Sequence, residues 1–137
     1  MGKREGRIAV FELLFEADFH KDAMPLEIYS RAVEIREVDG GKFCRELYEK
    51  CVENLSEIDA ALSESSDKRK VSRMSGVTRA LLRMGAGEML YTDVPPKVAI
   101  NEAVEISKLY NDQKSTAFIN GVLNKVARSA GKITDGE

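Results

Sequence analysis

The sequence predicts an all-α protein of about six or seven helices, arranged as two packed helical bundles. Apolar residues recur at three- and four-residue spacing along most of the chain, and no segment sustains an alternation of apolar and polar residues. The observed spacing is typical of helices with one buried face, whereas alternation would indicate strands. At 137 residues, with 43% hydrophobic and 32% charged residues, the chain can form one globular domain with its own core.

The N-terminal part of the chain is expected to contain three helices. The first spans about residues 3–19, where Phe11 and Leu14 belong to a continuous apolar stripe. A short second helix should begin near Pro25, because proline suits the first turn of a helix, and end before Asp39-Gly40-Gly41. One long third helix is predicted over residues 42–63. Its glutamates and Glu88 are expected on solvated faces, with contact to a partner as the alternative.

Residues 63–75 form a polar joint between two predicted halves of a single domain, residues 1–137. The N-terminal half covers about residues 1–66 and the C-terminal half about 72–130. The joint carries four basic side chains, and a solvated linker is the preferred interpretation of this charge, with contact to RNA or protein as the alternative. These side chains are Lys68, Arg69, Lys70 and Arg73.

A fourth substantial helix is predicted over residues 76–91. It contains Gly85 and Gly87, each of which costs about 1 kcal/mol of helix propensity relative to alanine. We therefore expect a neighbouring helix to approach this helix closely at the glycines.

The C-terminal segment predicts a helical hairpin. Its first helix should start between Lys97 and Asn101, after a pair of prolines, and end at an inward-facing Tyr110. Its second helix spans about residues 115–129, with Ser115 or Thr116 as the N-cap.

Composition argues against several classes of protein. There is no apolar run long enough for a transmembrane helix and no signal peptide, so we expect a cytoplasmic protein without membrane association. Cys44 and Cys51 share the apolar face of the third helix and are expected to be buried thiols. The one histidine, His20, is expected in an exposed turn, and neither a metal site nor a cofactor is expected. No catalytic constellation is present, so the chain is not expected to be an enzyme.

Basic side chains accompany an aromatic residue in the last predicted helix. Lys114, Gly121, Lys125 and Arg128 fall at i, i+7, i+11 and i+14, and therefore on one side of that helix. Phe118 lies beside this row. Bases that stack on aromatic rings while cations hold the phosphates are the usual mode of single-stranded RNA binding.

The first helix repeats this combination, since Phe15 follows a basic cluster of Lys3, Arg4 and Arg7. Two interpretations stay open from the residues alone. Phe15 and Phe118 are either RNA-stacking side chains or ordinary core residues, and the pattern by itself favours the core. The net charge of −2 argues against indiscriminate nucleic-acid binding but allows a local basic patch.

Several segments resemble the NusB family of transcription antitermination factors. Asp93-Val94-Pro95 is followed by VAINEAVE at residues 98–105 and by FINGVL at residues 118–123, in the order and spacing of that family. RIAVFELLF at residues 7–15 and the segment of residues 77–88, which contains ALLR, are similar to the family's first- and fourth-helix motifs. The middle of the chain, residues 20–72, matches mainly in length and helix pattern.

The resemblance implies a fold of two three-helix bundles and a function in transcription. It implies binding to the boxA element of ribosomal RNA leader transcripts, together with NusE, a small-subunit ribosomal protein. The same resemblance implies action with NusA and NusG in the elongating RNA polymerase complex, which then reads through terminators. No catalysed reaction is implied.

By position, the resemblance places RNA contacts on the N-terminal basic cluster, on Phe15, on Arg83 and on Phe118. Two departures from the family pattern concern this site. Glu5 interrupts the basic cluster, and Ala117 stands where relatives often carry lysine, with Lys114 one turn earlier. Together with the candidates from helix geometry, the expected RNA-binding set is Lys3, Arg4, Arg7, Phe15, Arg79, Arg83, Lys114, Phe118 and Lys125.

Two alternatives accompany this expectation. NusB-like domains also occur fused to ribosomal RNA methyltransferases, but the chain ends at Glu137 without room for a cofactor domain, which argues against catalysis in cis. The other alternative is a NusB-like RNA-binding or protein-interaction module, a scaffold or homodimer, in ribosomal RNA processing or modification. We expect charge reversal of both Arg4 and Arg7 to weaken RNA binding without unfolding the domain.

Overall fold

The computed structural model describes residues 2–19, 25–34, 41–67 and 70–133, and these contain helices and turns but no strand. The all-α class is therefore confirmed. Within the described residues there are seven α-helices and one 3-10 helix, which spans Val71–Arg73. The α-helices are α1 (Lys3–Ala17), α2 (Pro25–Glu34), α3 (Lys42–Glu53), α4 (Leu55–Ser65), α5 (Gly76–Tyr91), α6 (Pro96–Tyr110) and α7 (Gln113–Ser129).

Helix α5 lies at the centre of the core. It packs against α1, α3, α4, α6 and α7, and its side chains Leu81, Leu82 and Met84 are fully buried. A helix with neighbours on most sides needs apolar or small residues nearly all round, and ten of the sixteen residues of α5 are buried. These five helices form a shell around it, and α2 packs on α1.

The two glycines of α5 allow the close helix packing that the sequence predicts. A Cβ atom at Gly85 would lie 2.8 Å from Cδ1 of Leu123 and 3.2 Å from Cβ of Ala103. A Cβ atom at Gly87 would overlap Sγ of Cys51. Gly85 thus admits α6 and α7, and Gly87 admits α3, at distances that no larger residue permits.

The prediction of one long third helix was wrong. The chain forms α3 and α4 in its place, with a break at Asn54, whose φ and ψ of −114° and 20° leave the helical region. Nδ2 of Asn54 donates a hydrogen bond to the carbonyl oxygen of Lys50 at 2.8 Å. Asparagine side chains compete for backbone carbonyls in this way, and the break lets α4 turn away from α3 to pack on α5 and α7.

The C-terminal hairpin differs in three details from its prediction. Helix α6 begins at Pro96, one residue before the predicted range of 97–101. Helix α7 begins at Gln113 because Asp112, and neither Ser115 nor Thr116, is its N-cap; the Asp112 carboxylate accepts a hydrogen bond from the Ser115 amide at 2.7 Å. Tyr110 does not face the core, since it is 44% exposed. Its ring packs instead against Phe11 of α1, with ring centroids 4.9 Å apart.

Other expectations concern the joint, the cysteines and the turn residues. Both cysteines are buried free thiols, as predicted. The 3-10 helix lies in the predicted joint, and the division into two halves around it stays a prediction. His20, Asp39, Gly40, Lys68 and Arg69 lie outside the described residues. Among the helices of the described residues, none has the length and hydropathy needed to cross a bilayer.

The contact at Gly87 gives the first testable prediction. Gly87→Ala should lower the free energy of unfolding by about 1–3 kcal/mol, because overpacking the α3–α5 contact outweighs the gain in helix propensity. Urea denaturation measures this change. The double variant with Cys51→Ala lacks the sulfur atom. Its loss of unfolding free energy should therefore be clearly smaller than the sum of the losses in the two single variants. A Gly87→Ala protein as stable as the wild type would contradict the proposed packing.

Candidate nucleic-acid interface

A buried ion pair fastens α1 to α5. Nε of Arg7 donates to both carboxylate oxygens of Glu88, at 2.8 and 3.0 Å, and the side chains of these residues are 5% and 1% exposed. The Arg7 guanidinium also lies over the ring of Phe43 on α3, 5.1 Å from its centroid. A buried charge is tolerated only with such compensation, so Arg7 and Glu88 depend on each other.

Glu102 of α6 joins this pair and connects it to the surface. Its Oε1 accepts hydrogen bonds from Nη1 of Arg7 at 3.2 Å and from Nε of Arg4 at 3.1 Å, and Oε2 accepts one from Nη2 of Arg4. These hydrogen bonds hold the pKa of Glu102 below its ordinary value, and the bond from Arg4 has the largest effect. Arg4, half exposed, is therefore the outer member of a chain of charges that ends at Glu88.

A second ion-pair network lies at the other end of α1, around Asp18. Oδ2 of Asp18 accepts from Nε of Arg79 at 2.9 Å, and Oδ1 accepts from Nη1 of Arg83 at 2.8 Å. Arg83 also forms a bidentate pair with Asp59 of α4, at 2.9 and 2.8 Å. Burial disfavours the charged form of Asp18, but the hydrogen bonds from the two arginines outweigh it and lower the pKa of Asp18.

Arg79 has a further structural task at the start of α5. Its Nη1 donates to the carbonyl oxygens of Val71 and Met74, at 3.1 and 3.0 Å. These carbonyls belong to the polar joint. Arg79 therefore ties the joint and the C-terminal end of α1 to α5, as well as neutralising Asp18.

The buried network corrects one expectation from the sequence. Arg7 was expected as a surface cation whose reversal to glutamate leaves the fold intact, but only 4% of this residue is exposed. Glutamate at position 7 would place a third carboxylate beside Glu88 and Glu102, with Arg4 on Glu102 as the remaining cation of this network, and such an arrangement is strongly unfavourable. Arg79 and Arg83 are also mostly covered, with side chains 18% and 12% exposed. Among the predicted RNA-binding arginines, Arg4 has the most accessible side chain.

Aromatic residues lie along one side of α1 and in the turn that follows it. Phe15 is partly buried, and a Cβ atom at Gly76 would lie 3.0 Å from its Cε1 atom, so the ring rests on the start of α5. Phe19 covers another side of Phe15, with ring centroids 5.0 Å apart in an edge-to-face arrangement, and is itself 67% exposed. One turn before Phe15, the ring of Phe11 contacts Tyr110.

The predicted α7 residues lie along the outside of that helix. Lys114 is exposed at its start, next to the N-cap, and Phe118 is partly buried at the edge of the core. Lys125 lies eleven residues after Lys114, about 16 Å further along the helix. Its Nζ forms a 2.9 Å ion pair with Asp67, whose side chain is 89% exposed.

The predicted site residues are spread over α1, α5 and α7. Tyr110 ends α6 three residues before α7 begins, and its ring contacts Phe11, so the turn between α6 and α7 lies near the middle of α1. Phe15 follows Phe11 by one turn of α1, and Lys114 and Phe118 lie in the first two turns of α7. Lys3 and Arg4 lie at the opposite end of α1, about 16 Å or more from Phe15. Lys125 is likewise displaced along α7, so the site is extended rather than compact.

Sequence reasoning missed the acidic partners of the arginines. The sequence pattern predicts a solvated face for Glu88 and no role for Asp18, Asp59 or Glu102. One signal was present in α5, since Glu88 stands among the residues Gly85, Ala86, Gly87 and Met89, and a lone carboxylate in such a stretch needs a partner cation. Nothing local indicates which arginine, because Arg7 is 81 residues away.

Comparisons with known proteins agree with this fold. A family model described as NusB family matches residues 4–128. The transcription antitermination protein NusB of Clostridium acetobutylicum is 35% identical over 133 residues, which cover 95% of this chain and 98% of that protein. The protein of the same name from Listeria monocytogenes is 35% identical over 128 residues, which cover 93% of this chain and 97% of that protein.

Solved structures show the same arrangement of helices. T. maritima NusB matches with a TM-score of 0.80 at 33% identity, covering 93% of this chain and 92% of that chain. A crystal structure of antitermination factors NusB and NusE in complex with dsRNA matches with a TM-score of 0.80 at 24% identity, covering 92% of this chain and 96% of that chain. At this lower identity the second match shows the fold. The fold is thus that of a helical transcription antitermination factor, and the chain belongs to the NusB family.

The Arg7–Glu88 pair gives a stability prediction. Glu88→Ala should lower the free energy of unfolding by about 3 kcal/mol or more, because Arg7 would stay buried without its main counter-charge. Glu46→Ala is a suitable control, since Glu46 forms an exposed pair with Lys42 and its loss should cost less than about 1 kcal/mol. Equal effects of the two variants in denaturant unfolding would contradict a structural role for the buried pair.

The Asp18 network gives a prediction about pH. Because the pKa of Asp18 is lowered in the native state, its stabilising contribution is complete above its ordinary value of 3.8 and is lost as the pH falls through the native value. Asp18→Asn should lower the melting temperature at pH 7, and the difference from the wild type should narrow below about pH 4. Asp93→Asn, at an exposed position in the α5–α6 turn, is the control. A difference that stays constant between pH 7 and pH 3 would exclude this electrostatic role.

Proposed function

We propose that this chain is a transcription antitermination factor that binds boxA-type single-stranded RNA of ribosomal RNA leader transcripts together with NusE. The observation that supports this most is the NusB family match over residues 4–128, which includes both helices of the predicted RNA site. The named relatives are transcription antitermination proteins that are similar to this chain over nearly their full length. The NusB–NusE complex with RNA indicates that this fold can accommodate both partners.

The expected RNA contacts divide into two groups. Lys114 and Phe118 at the start of α7, Phe15 on α1, and Lys3 and Arg4 at the N-terminus are proposed to touch RNA, with Lys125 further along α7. The cations would contact phosphates and the rings would stack on bases. Arg7, Arg79 and Arg83 were predicted in the same set, and their ion pairs favour an indirect contribution, through the position of α1 against α5.

The partners and the setting complete the proposal. Bound to RNA and NusE, the protein would act with NusA and NusG in the elongating RNA polymerase complex and promote read-through of terminators. It would act in the cytoplasm and catalyse no reaction, so a methyl-transfer assay on ribosomal RNA should give no product. Formation of a homodimer stays a prediction.

Fluorescence anisotropy with a labelled boxA-type RNA tests the function directly. We expect tighter binding to this RNA than to a scrambled sequence of the same length, and a further gain when NusE is added. Affinity should fall as salt rises, because phosphate contacts release counterions. Equal affinity for the two RNAs, both with and without NusE, would refute the proposed function.

A charge reversal tests the location of the site. Lys114→Glu should weaken RNA binding by about tenfold, because it removes one phosphate contact and adds a repulsive charge. Arg45→Glu on α3 reverses an exposed charge outside the proposed site and should leave the affinity within about twofold. Matching melting temperatures would show that both variants are folded. If Lys114→Glu binds RNA as the wild type does, the start of α7 is not part of the interface.

A further inference from the structure

The outer face of α7 has an unusual charge for this chain. Helix α7 carries three basic and no acidic side chains over Gln113–Ser129, whereas the whole chain has a net charge of −2. The residues at outward positions form one face, which we call the outer face of α7. It consists of Lys114, Ala117, Asn120, Gly121, Asn124, Lys125 and Arg128.

Gly121 in the middle of this face has no internal reason to be glycine. It lies in regular helix with no positive φ, is exposed, and an added Cβ atom would meet nothing within 4 Å. Glycine weakens a helix relative to alanine. Gly85 and Gly87 serve close packing inside the molecule, but Gly121 leaves room only for something outside it.

The two edges of the face have different chemistry. On the side of α6, Asn120 and Asn124 line a groove of about 260 Å³ together with Lys97 and Asn101, and no acidic side chain contributes to its lining. Nδ2 of Asn124 donates to the Asn120 carbonyl oxygen at 2.8 Å, which fixes its orientation. Amides and lysines are common partners of phosphate and sugar oxygens.

The opposite edge carries Lys125. Its ion pair with Asp67 is between a half-exposed and an almost fully exposed side chain. Such surface pairs contribute little and are screened by salt, so Lys125 can exchange Asp67 for a phosphate at small cost. The face thus has a floor of small residues, formed by Gly121 and Ala117, between a row of amides and a row of cations.

We propose that bound RNA continues past Phe118 along the outer face of α7, with its sugar-phosphate backbone over Gly121, between Lys125 and the amides of Asn120 and Asn124. From Phe118 to Arg128 the face extends about 15 Å, which is enough for a short stretch of single strand. The positive helix is complementary to a polyanion, and the absent side chain lets the backbone approach the helix closely. This inference rests on the proposed RNA binding and extends it to a second part of α7.

Substitution of Gly121 separates stability from binding. Gly121→Ala should keep or raise the melting temperature, because the added methyl group enters open space and improves helix propensity. The same variant should bind boxA-type RNA several-fold more weakly, and Gly121→Leu by about tenfold or more, because the larger side chain holds the backbone away from Lys125 and the amides. Ser129→Leu adds the same side chain to the same helix beside the outer face and should not change the affinity.

A salt titration supplies a second measurement. Lys125→Ala should reduce the slope of log K against log salt by about one, as expected for the loss of one phosphate contact. If Gly121→Leu binds RNA as tightly as the wild type does, the inference is overturned, but the proposed function is unaffected. If the wild type shows no preference for boxA-type RNA, either with or without NusE, the proposed function itself is refuted.

Light scattering and NusE binding distinguish other occupants of the face. If the wild type is a dimer and Gly121→Leu is a monomer, the face is a contact between copies and the RNA path is wrong. If Gly121→Leu loses affinity for NusE alone and keeps its affinity for RNA, the face belongs to the protein partner, which also overturns the inference. If Gly121→Leu is a monomer like the wild type, keeps its affinity for NusE and loses affinity for RNA, the result supports the proposed RNA path.

Discussion

The position of α1 depends on the buried contact between Arg7 and Glu88. This pair lies where α1 crosses α5, and Glu102 extends it to α6. Because a buried charge without a partner is far less stable than a paired one, the pair admits only one register of α1 against the central helix. Everything that α1 presents at the surface, including its aromatic residues, is set by that register. Asp18 fixes the other end of the same helix through Arg79 and Arg83.

The two kinds of cation are used differently in this chain. Three arginines, Arg7, Arg79 and Arg83, occupy covered positions. There a planar guanidinium can satisfy one or two carboxylates at once, as Arg83 does with Asp59 and Asp18. The exposed cations of α7 include two lysines, whose mobile ammonium groups suit contacts with a flexible strand. An arginine-to-lysine exchange at position 83 would therefore be less conservative than it looks from the sequence.

Much of the fold could be predicted because helical periodicity is a local signal. The all-α class, the residue range of α5 and the close packing at its glycines all follow from the spacing of residues within single helices. The break at Asn54 could not be predicted in this way, because the apolar stripe continues across it and the reason for the turn is the packing of α4 on α5 and α7. The same limit applies to the site. Lys114 and Phe118 share a helix and could be paired from the sequence, whereas the burial of Arg7 depends on a residue 81 positions away.

The thiol of Cys51, which lies against Gly87, is protected from chemical modification in the native state. The side chain is fully buried, its Sγ contacts the carbonyl oxygen of Arg83 at 3.7 Å, and burial raises its pKa. Alkylating reagents and oxidants react with the thiolate, so neither can modify Cys51 until α3 separates from α5. The rate of labelling at this one atom therefore reports how often the central helix is uncovered, in a protein whose chain has no tryptophan to serve as a fluorescent probe.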